Sequence, residues 1–138
     1  MRCAVFVATA HGIELAGKLR QELEGTVDIF VKEGRDVPGK AYRYERLGDT
    51  VRTLFTQYDA LIFCMAVGIV VRLIAPCLKS KLTDPAVVVV DERAHYAISL
   101  LAGHVGGANR LTERVAAILG AVSVITTATD VNHYLAPD

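Results

Sequence analysis

The sequence predicts an α/β fold, a three-layer domain with a mainly parallel sheet plus a β-hairpin. Three observations carry that expectation. Short β-branched runs alternate with stretches of helical periodicity, the order that winds a chain into βαβ units. Several of those runs, "ALIFCM" and "AVVVVD" among them, are apolar without alternation, as strands covered on both faces are. A chain of 138 residues, 52% of them hydrophobic, suffices for one core and points to a single domain.

From the amino terminus, "RCAVFVAT" reads as a first strand. In "GIELAGKLRQEL", Ile13, Leu15, Ala16, Leu19 and Leu23 recur at helical spacing, and Gly25 is placed to stop the helix. "TVDIFVK" alternates and reads as a second strand. "EGRDVPGKAYRYERLG" is rich in Gly, Pro and charge, a surface connection with Tyr42 and Tyr44 as loop aromatics. "DTVRTLFTQY" reads as a helix capped by Asp49 and completes a βαβα half, residues 1–58.

The other half, residues 59–138, carries the motifs. "ALIFCM" suits a doubly buried strand. "AVGIVVRLIAPCL" fits strand or helix by pattern; its place after a strand and Pro76 near its end favour a helix. "AVVVVD" and "HYAISLL" flank residues 91–94 as the strands of a hairpin. A helix "ANRLTERVAAILG" ended by Gly120 and a last strand "SVITT" come after them. The strands holding Val5, Ile62 and Val88 are expected at the centre of the sheet.

Lys+Arg and Asp+Glu both number 15, so a neutral domain gains no bulk attraction to nucleic acid or to an anionic membrane; neither is an expected partner. Cys3, Cys64 and Cys77 form no CxxC pair and no even set, which argues against a disulfide scaffold and a zinc site. They read as small buried hydrophobes in a reducing compartment. The nearly apolar stretch 60–78 is broken by Gly68, Arg72 and Pro76, unlike a membrane span, and no signal sequence opens the chain. The expected location is the cytoplasm.

Sheets of this class bind ligands in loops beyond the carboxyl ends of their strands. Loops at 9–12, 65–68 and 126–130 are expected there, joined by the loop at 101–109. That last loop, "LLAGHVGGAN", sets Gly103, Gly106 and Gly107 around His104 and opens a helix. Free N–H groups and the dipole at a helix start attract carboxylate or phosphate, and missing Cβ atoms let a ligand approach. A plain glycine turn with Asn109 as cap accounts for the same letters. His104 is the best titratable candidate, as base, acid, anion ligand or metal ligand, against a histidine bonded within its own loop. His11, in "TAHG", is a second candidate; His95 and His133 are expected to face solvent. Arg72 interrupts an apolar run and needs a partner, either Asp84 or a ligand carboxylate. Asp91 and Glu92 read as solvated turn acids. "TTATD" offers Thr127, Thr129 and Asp130 to a ligand, or a cap to the segment after it. No P-loop, dinucleotide fingerprint or HExxH motif is present. Residue chemistry alone ends at an anion-friendly site.

Three strings in one order, "GIVVRLIAPCLKSKLTDPAVVVVDE", "AISLLAGHVGGAN" and "VITTATD", span about residues 60–130 and resemble the CbiG family of cobalamin biosynthesis, the cobalt-precorrin-5A hydrolases. "VATAHGIELAGKL" fits less specifically. The resemblance implies an enzyme of the anaerobic, cobalt-early route to vitamin B12. Its substrate is a cobalt tetrapyrrole with a δ-lactone, opened by water with loss of a two-carbon unit as acetaldehyde. It implies no cofactor or metal site of the protein's own, because the cobalt belongs to the substrate. Substrate carboxylates would meet His11, Gly68, Arg72, Gly103, Asn109, Thr127 and Thr129. Lactone opening needs an activated water and donors to the oxyanion. His104 is the candidate base, with Asp130 as a further catalytic candidate, and the amides of Gly106 and Gly107 are the candidate donors. The family usually carries a further C-terminal domain, absent from these residues, so that domain or a split partner chain is an expected partner. Two other classes remain: a non-catalytic tetrapyrrole-binding module, and a nucleotide-binding or protein-interaction α/β domain.

Overall fold

The computed structural model describes residues 1–103 and 106–128. Its elements are β1 (Arg2–Val7), α1 (Ala10–Glu22), β2 (Thr26–Lys32), β3 (Tyr42–Tyr44), α2 (Leu47–Leu54), β4 (Ala60–Cys64), α3 (Val67–Ile74), β5 (Ala86–Val90), β6 (Tyr96–Leu101), α4 (Ala108–Leu119) and β7 (Val122–Val124). Among the described residues the strands form a seven-stranded sheet in the order β3-β2-β1-β4-β5-β6-β7. The pairs from β3 to β5 are parallel. β6 returns antiparallel to β5 as the expected hairpin, and β7 runs parallel to β6.

The three expected layers are present. One set of strand residues, including Val5, Ile29, Ile62 and Val88, packs under α1 and α4. The alternate set, including Phe6, Leu61, Phe63 and Val87, packs under α2 and α3. β1, β4 and β5 lie at the centre, and Val5, Ile62 and Val88 are fully buried. Burial on both faces explains why these strands lack alternation. Phe6 stacks between Phe30 and Phe63 at ring separations of 5.1 and 4.9 Å. Thr9 caps α1 by accepting from the Gly12 N–H at 3.0 Å, and Gly120, at φ 71°, ends α4 in the left-handed conformation.

Three local expectations are corrected. The connection after β2 holds the short strand β3, in which Tyr44 is buried and donates its hydroxyl to the Val7 carbonyl at 2.8 Å. Tyr42 stacks on Phe30 at 5.1 Å. A strand of three residues is too short to leave a readable period. α2 starts at Leu47 with Arg46 as its N-cap; Asp49 lies inside the first turn, where its carboxylate pairs with Arg52. β7 ends at Val124, so residues 125–127 are not strand. No helix among the described residues is long and apolar enough to cross a membrane.

The reversed direction of β6 and β7 decides where the motif-bearing loops fall. The carboxyl ends of these two strands lie at the edge of the sheet where β1, β2, β4 and β5 begin.

Candidate functional site

This topology overturns the expected gathering of loops. Residues 9–12 and 65–68 follow β1 and β4, at one edge of the sheet. The glycine loop follows β6, and residues 125–128 follow β7, both at the opposite edge. His11, Gly68 and Arg72 therefore stand apart from Gly103, Gly106, Gly107, Asn109 and Thr127.

The glycine edge holds the larger cleft, about 1000 Å³, lined by Met1, Cys3, Gly25, Gly103, Gly106, Gly107, Asn109, Arg110 and Arg114 among others. The opposite edge has a cleft of about 490 Å³ lined by Thr9, His11, Glu92, Arg93 and His95.

The glycine loop is built by its own hydrogen bonds. The N–H groups of Ala108 and Asn109, at the start of α4, donate to the carbonyls of Ala102 and Gly103 at 3.1 and 3.0 Å. These two amides are thereby committed inside the loop and not offered to an anion. The glycines have separate reasons. A Cβ on Gly106 would lie 2.5 Å from the Ala102 Cβ and 3.0 Å from its carbonyl oxygen. One on Gly103 would lie 2.8 Å from Asn109 Oδ1 and 2.9 Å from Thr127 Cγ2. Gly107 has φ +83°, and its missing Cβ would meet open space. Close packing within the loop thus accounts for two glycines. The third satisfies a left-handed turn and leaves room for a ligand.

Asn109 is not the cap of α4; Gly107 is. Asn109 is 8% exposed, a buried polar residue in the first turn of the helix. Its Oδ1 accepts from the Ser99 hydroxyl at 2.7 Å, and its Nδ2 donates to Thr127 Oγ1 at 3.0 Å. This chain of bonds ties β6, the start of α4 and the segment after β7 together. It joins the described parts of the strings "AISLLAGHVGGAN" and "VITTATD" through Ser99, Asn109 and Thr127. His104, Thr129, Asp130 and His133 lie outside the described residues. The flanking Gly103 and Gly106 both line the larger cleft.

The two arginines of the cleft belong to no motif recognised in the sequence. Arg110 and Arg114 are exposed on α4 directly after the glycine loop, four positions apart and so on one helix face. Arg114 also reaches the Glu22 carbonyl at 3.5 Å. Their spacing is visible in the sequence; its meaning depends on which edge the cleft occupies.

Arg72 is corrected. It is exposed, and its guanidinium donates to the Gly68 carbonyl at 3.4 Å. Asp84 is not its partner; that carboxylate accepts from the Lys79 N–H at 3.1 Å through each oxygen. The run around Arg72 looked buried because Ile69 and Val71 are apolar, yet they are 49% and 46% exposed. His11 is also exposed, with Nδ1 bonded to the Glu92 carbonyl. His95 faces solvent, as expected.

Burial pushes the Asp91 carboxyl up, but N–H groups of Tyr96, His95 and Arg93 outweigh it and hold the group below its ordinary value. It is therefore a structural acid of the hairpin turn more than a solvated one. Cys3 and Cys64 are buried, and burial chiefly pushes their thiols up to about 11 and about 12. Neither is a ready nucleophile. Among the described residues no group of three or more His, Cys, Asp or Glu side chains could hold a metal ion.

Comparison with known proteins agrees with the resemblance. Residues 49–130 match the family described as cobalamin synthesis G N-terminal. The cobalt-precorrin-5A hydrolase of Salmonella typhimurium is 48% identical over 135 residues, covering 98% of this chain and 38% of that protein. The Priestia megaterium cobalt-precorrin-5A hydrolase is 41% identical over 139 residues, covering 98% and 37%. A crystal structure from Sulfolobus solfataricus, described as a homolog of cobalamin biosynthesis protein G, superposes with a TM-score of 0.68 at 26% identity. That match covers 97% of this chain and 40% of the other. The chain thus spans somewhat over a third of the length of the curated relatives it matches.

Proposed function

The chain belongs to the cobalamin synthesis G N-terminal family, and on that premise we propose that it forms part of a cobalt-precorrin-5A hydrolase. The substrate is a cobalt tetrapyrrole, and it sits in the cleft at the glycine edge. One observation carries the location. Asn109 joins two of the three motif strings by its bond to Thr127 at 3.0 Å, and it does so at the wall of the cleft of about 1000 Å³.

The chemistry is what lactone opening demands. His104 takes a proton from water, which adds to the lactone carbonyl. The amides of Gly106 and Gly107 donate to the resulting oxyanion. The acyl–oxygen bond breaks, and the departing alkoxide takes the proton back from the imidazolium. The freed hydroxyl is then deprotonated by the same base. Its carbon–oxygen bond becomes the carbonyl of acetaldehyde as the carbon–carbon bond to the ring breaks, and the ring keeps the electron pair. Arg110, beside the glycine loop, pairs with a peripheral substrate carboxylate. In this reading Asp130 is the further catalytic candidate and Thr129 a further substrate contact. His11, Gly68 and Arg72, at the other edge, take no part.

The cobalt arrives with the substrate, so this part of the enzyme carries no cofactor of its own. Its partner is the remaining portion of the longer protein that the relatives represent, and the assembly works in the cytoplasm. Support for a reducing location is the two buried, unpaired thiols Cys3 and Cys64.

Titration with cobalt-precorrin-5A, followed by absorbance, tests the proposal. The wild-type protein is expected to shift the spectrum. His104→Ala, assayed with the partner portion present, is expected to bind comparably but release acetaldehyde roughly a hundredfold to ten-thousandfold more slowly. Normal release removes His104 from the mechanism. No spectral change with the wild-type protein overturns the reading.

A further inference from the structure

We propose that Asn109 is a positioning residue that clamps the glycine loop against the segment after β7, and not a ligand for substrate carboxylates. The inference rests on the glycine-edge reading and goes beyond it by assigning this residue's role. The oxygen and the nitrogen of its side-chain amide are committed on opposite sides. Oδ1 accepts from Ser99 Oγ at 2.7 Å and Nδ2 donates to Thr127 Oγ1 at 3.0 Å. Its backbone N–H also holds the Gly103 carbonyl at 3.0 Å. Gly103 has no side chain because Asn109 Oδ1 and Thr127 Cγ2 stand 2.8 and 2.9 Å from where its Cβ would be. Buried at 8% exposure, the amide is the centre of a knot from which the loop departs at Gly103 and to which it returns at Gly107. The knot sets where the loop's ends, Gly103 and Gly107, sit.

Substitution separates the two roles. Asn109→Asp keeps the shape. Its carboxylate keeps the bond from the Ser99 hydroxyl and presents an acceptor to the Thr127 hydroxyl. Asn109 lies in the first turn of α4, where a negative charge is favoured by the dipole. Asn109→Leu fills similar space and makes neither bond. Losing both is expected to speed amide exchange at residues 106–109 by about tenfold or more, and to weaken cobalt-precorrin-5A binding by a similar factor. Asn109→Asp is expected to restore both to within about threefold. Ser99→Ala and Thr127→Val, each cutting one side, are expected to fall between.

A direct ligand behaves oppositely. A carboxylate at position 109 would repel substrate carboxylates, so Asn109→Asp would bind worse than Asn109→Leu. That result, with exchange restored, overturns the proposal. So does Asn109→Leu with unchanged exchange at 106–109. If the wild-type protein binds no cobalt-precorrin-5A, the proposed function fails and the exchange measurements alone decide the clamp. Unchanged exchange in β1 and β4 shows that each variant is folded.

Discussion

Gly103, Gly106 and Gly107 look alike in the sequence and differ in the folded loop. The first two are small because Asn109, Thr127 and Ala102 occupy the space beside them, while Gly107 has an open side and a positive φ. A cluster of glycines could be read as room for something; whether that something is a ligand or the protein's own side chains depends on contacts made only on folding. Stability measurements distinguish them. Gly106→Ala is expected to cost roughly 1–3 kcal/mol, since its methyl group would collide with Ala102. Gly107→Ala meets no atom and is expected to cost about 1 kcal/mol for its left-handed backbone, with Gly107→Asn costing less. Denaturant titration checks the order, and equal losses for Gly106→Ala and Gly107→Asn would count against the packing account. Arg72 shows the converse error: a charge in an apolar run suggested burial, and the helix simply presents apolar residues to solvent as well.

At the scale of elements, the hairpin was legible because acids and a short polar turn separate two apolar runs. Its holding device was not. Asp91 Oδ1 accepts from the Tyr96 N–H at 2.6 Å and Oδ2 from the Arg93 N–H at 3.2 Å. Those bonds lie beyond what residue order alone reveals. They give a signed pH dependence. The folded pKa of Asp91 is lowered, so its contribution is fully present above the ordinary value of 3.8 and is lost as pH falls through the lower folded value. Asp91→Asn keeps an acceptor for Tyr96 and does not titrate. Between about pH 5 and about pH 2 the melting temperature of the wild-type protein is expected to fall further than that of Asp91→Asn. Parallel pH profiles would show that this carboxylate does not hold the turn. β3 went unread for a different reason: Tyr42–Tyr44 is a strand because it pairs with β2, and Tyr44 is buried because Val7 accepts its hydroxyl.

Across the whole molecule, the layers and the central strands were readable from apolar runs, and the site's location was not. The rule that ligands gather at carboxyl ends of strands still applies, but the sheet has two such edges. β1, β2, β4 and β5 end at one, β6 and β7 at the other. Residues expected to share a site therefore divide into a His11, Gly68 and Arg72 group and a glycine-loop group. The larger cleft, the Asn109–Thr127 bond and two of the three motif strings belong to the glycine-loop group, while the string that starts at Gly68 begins at the other edge. Hydrogen–deuterium exchange with and without cobalt-precorrin-5A tests that assignment most directly. Substrate is expected to slow exchange at residues 106–111 and 127–128, leaving 9–12, 66–72 and 92–95 unchanged. Protection confined to the second set of segments would place the ligand at the opposite edge and contradict the account.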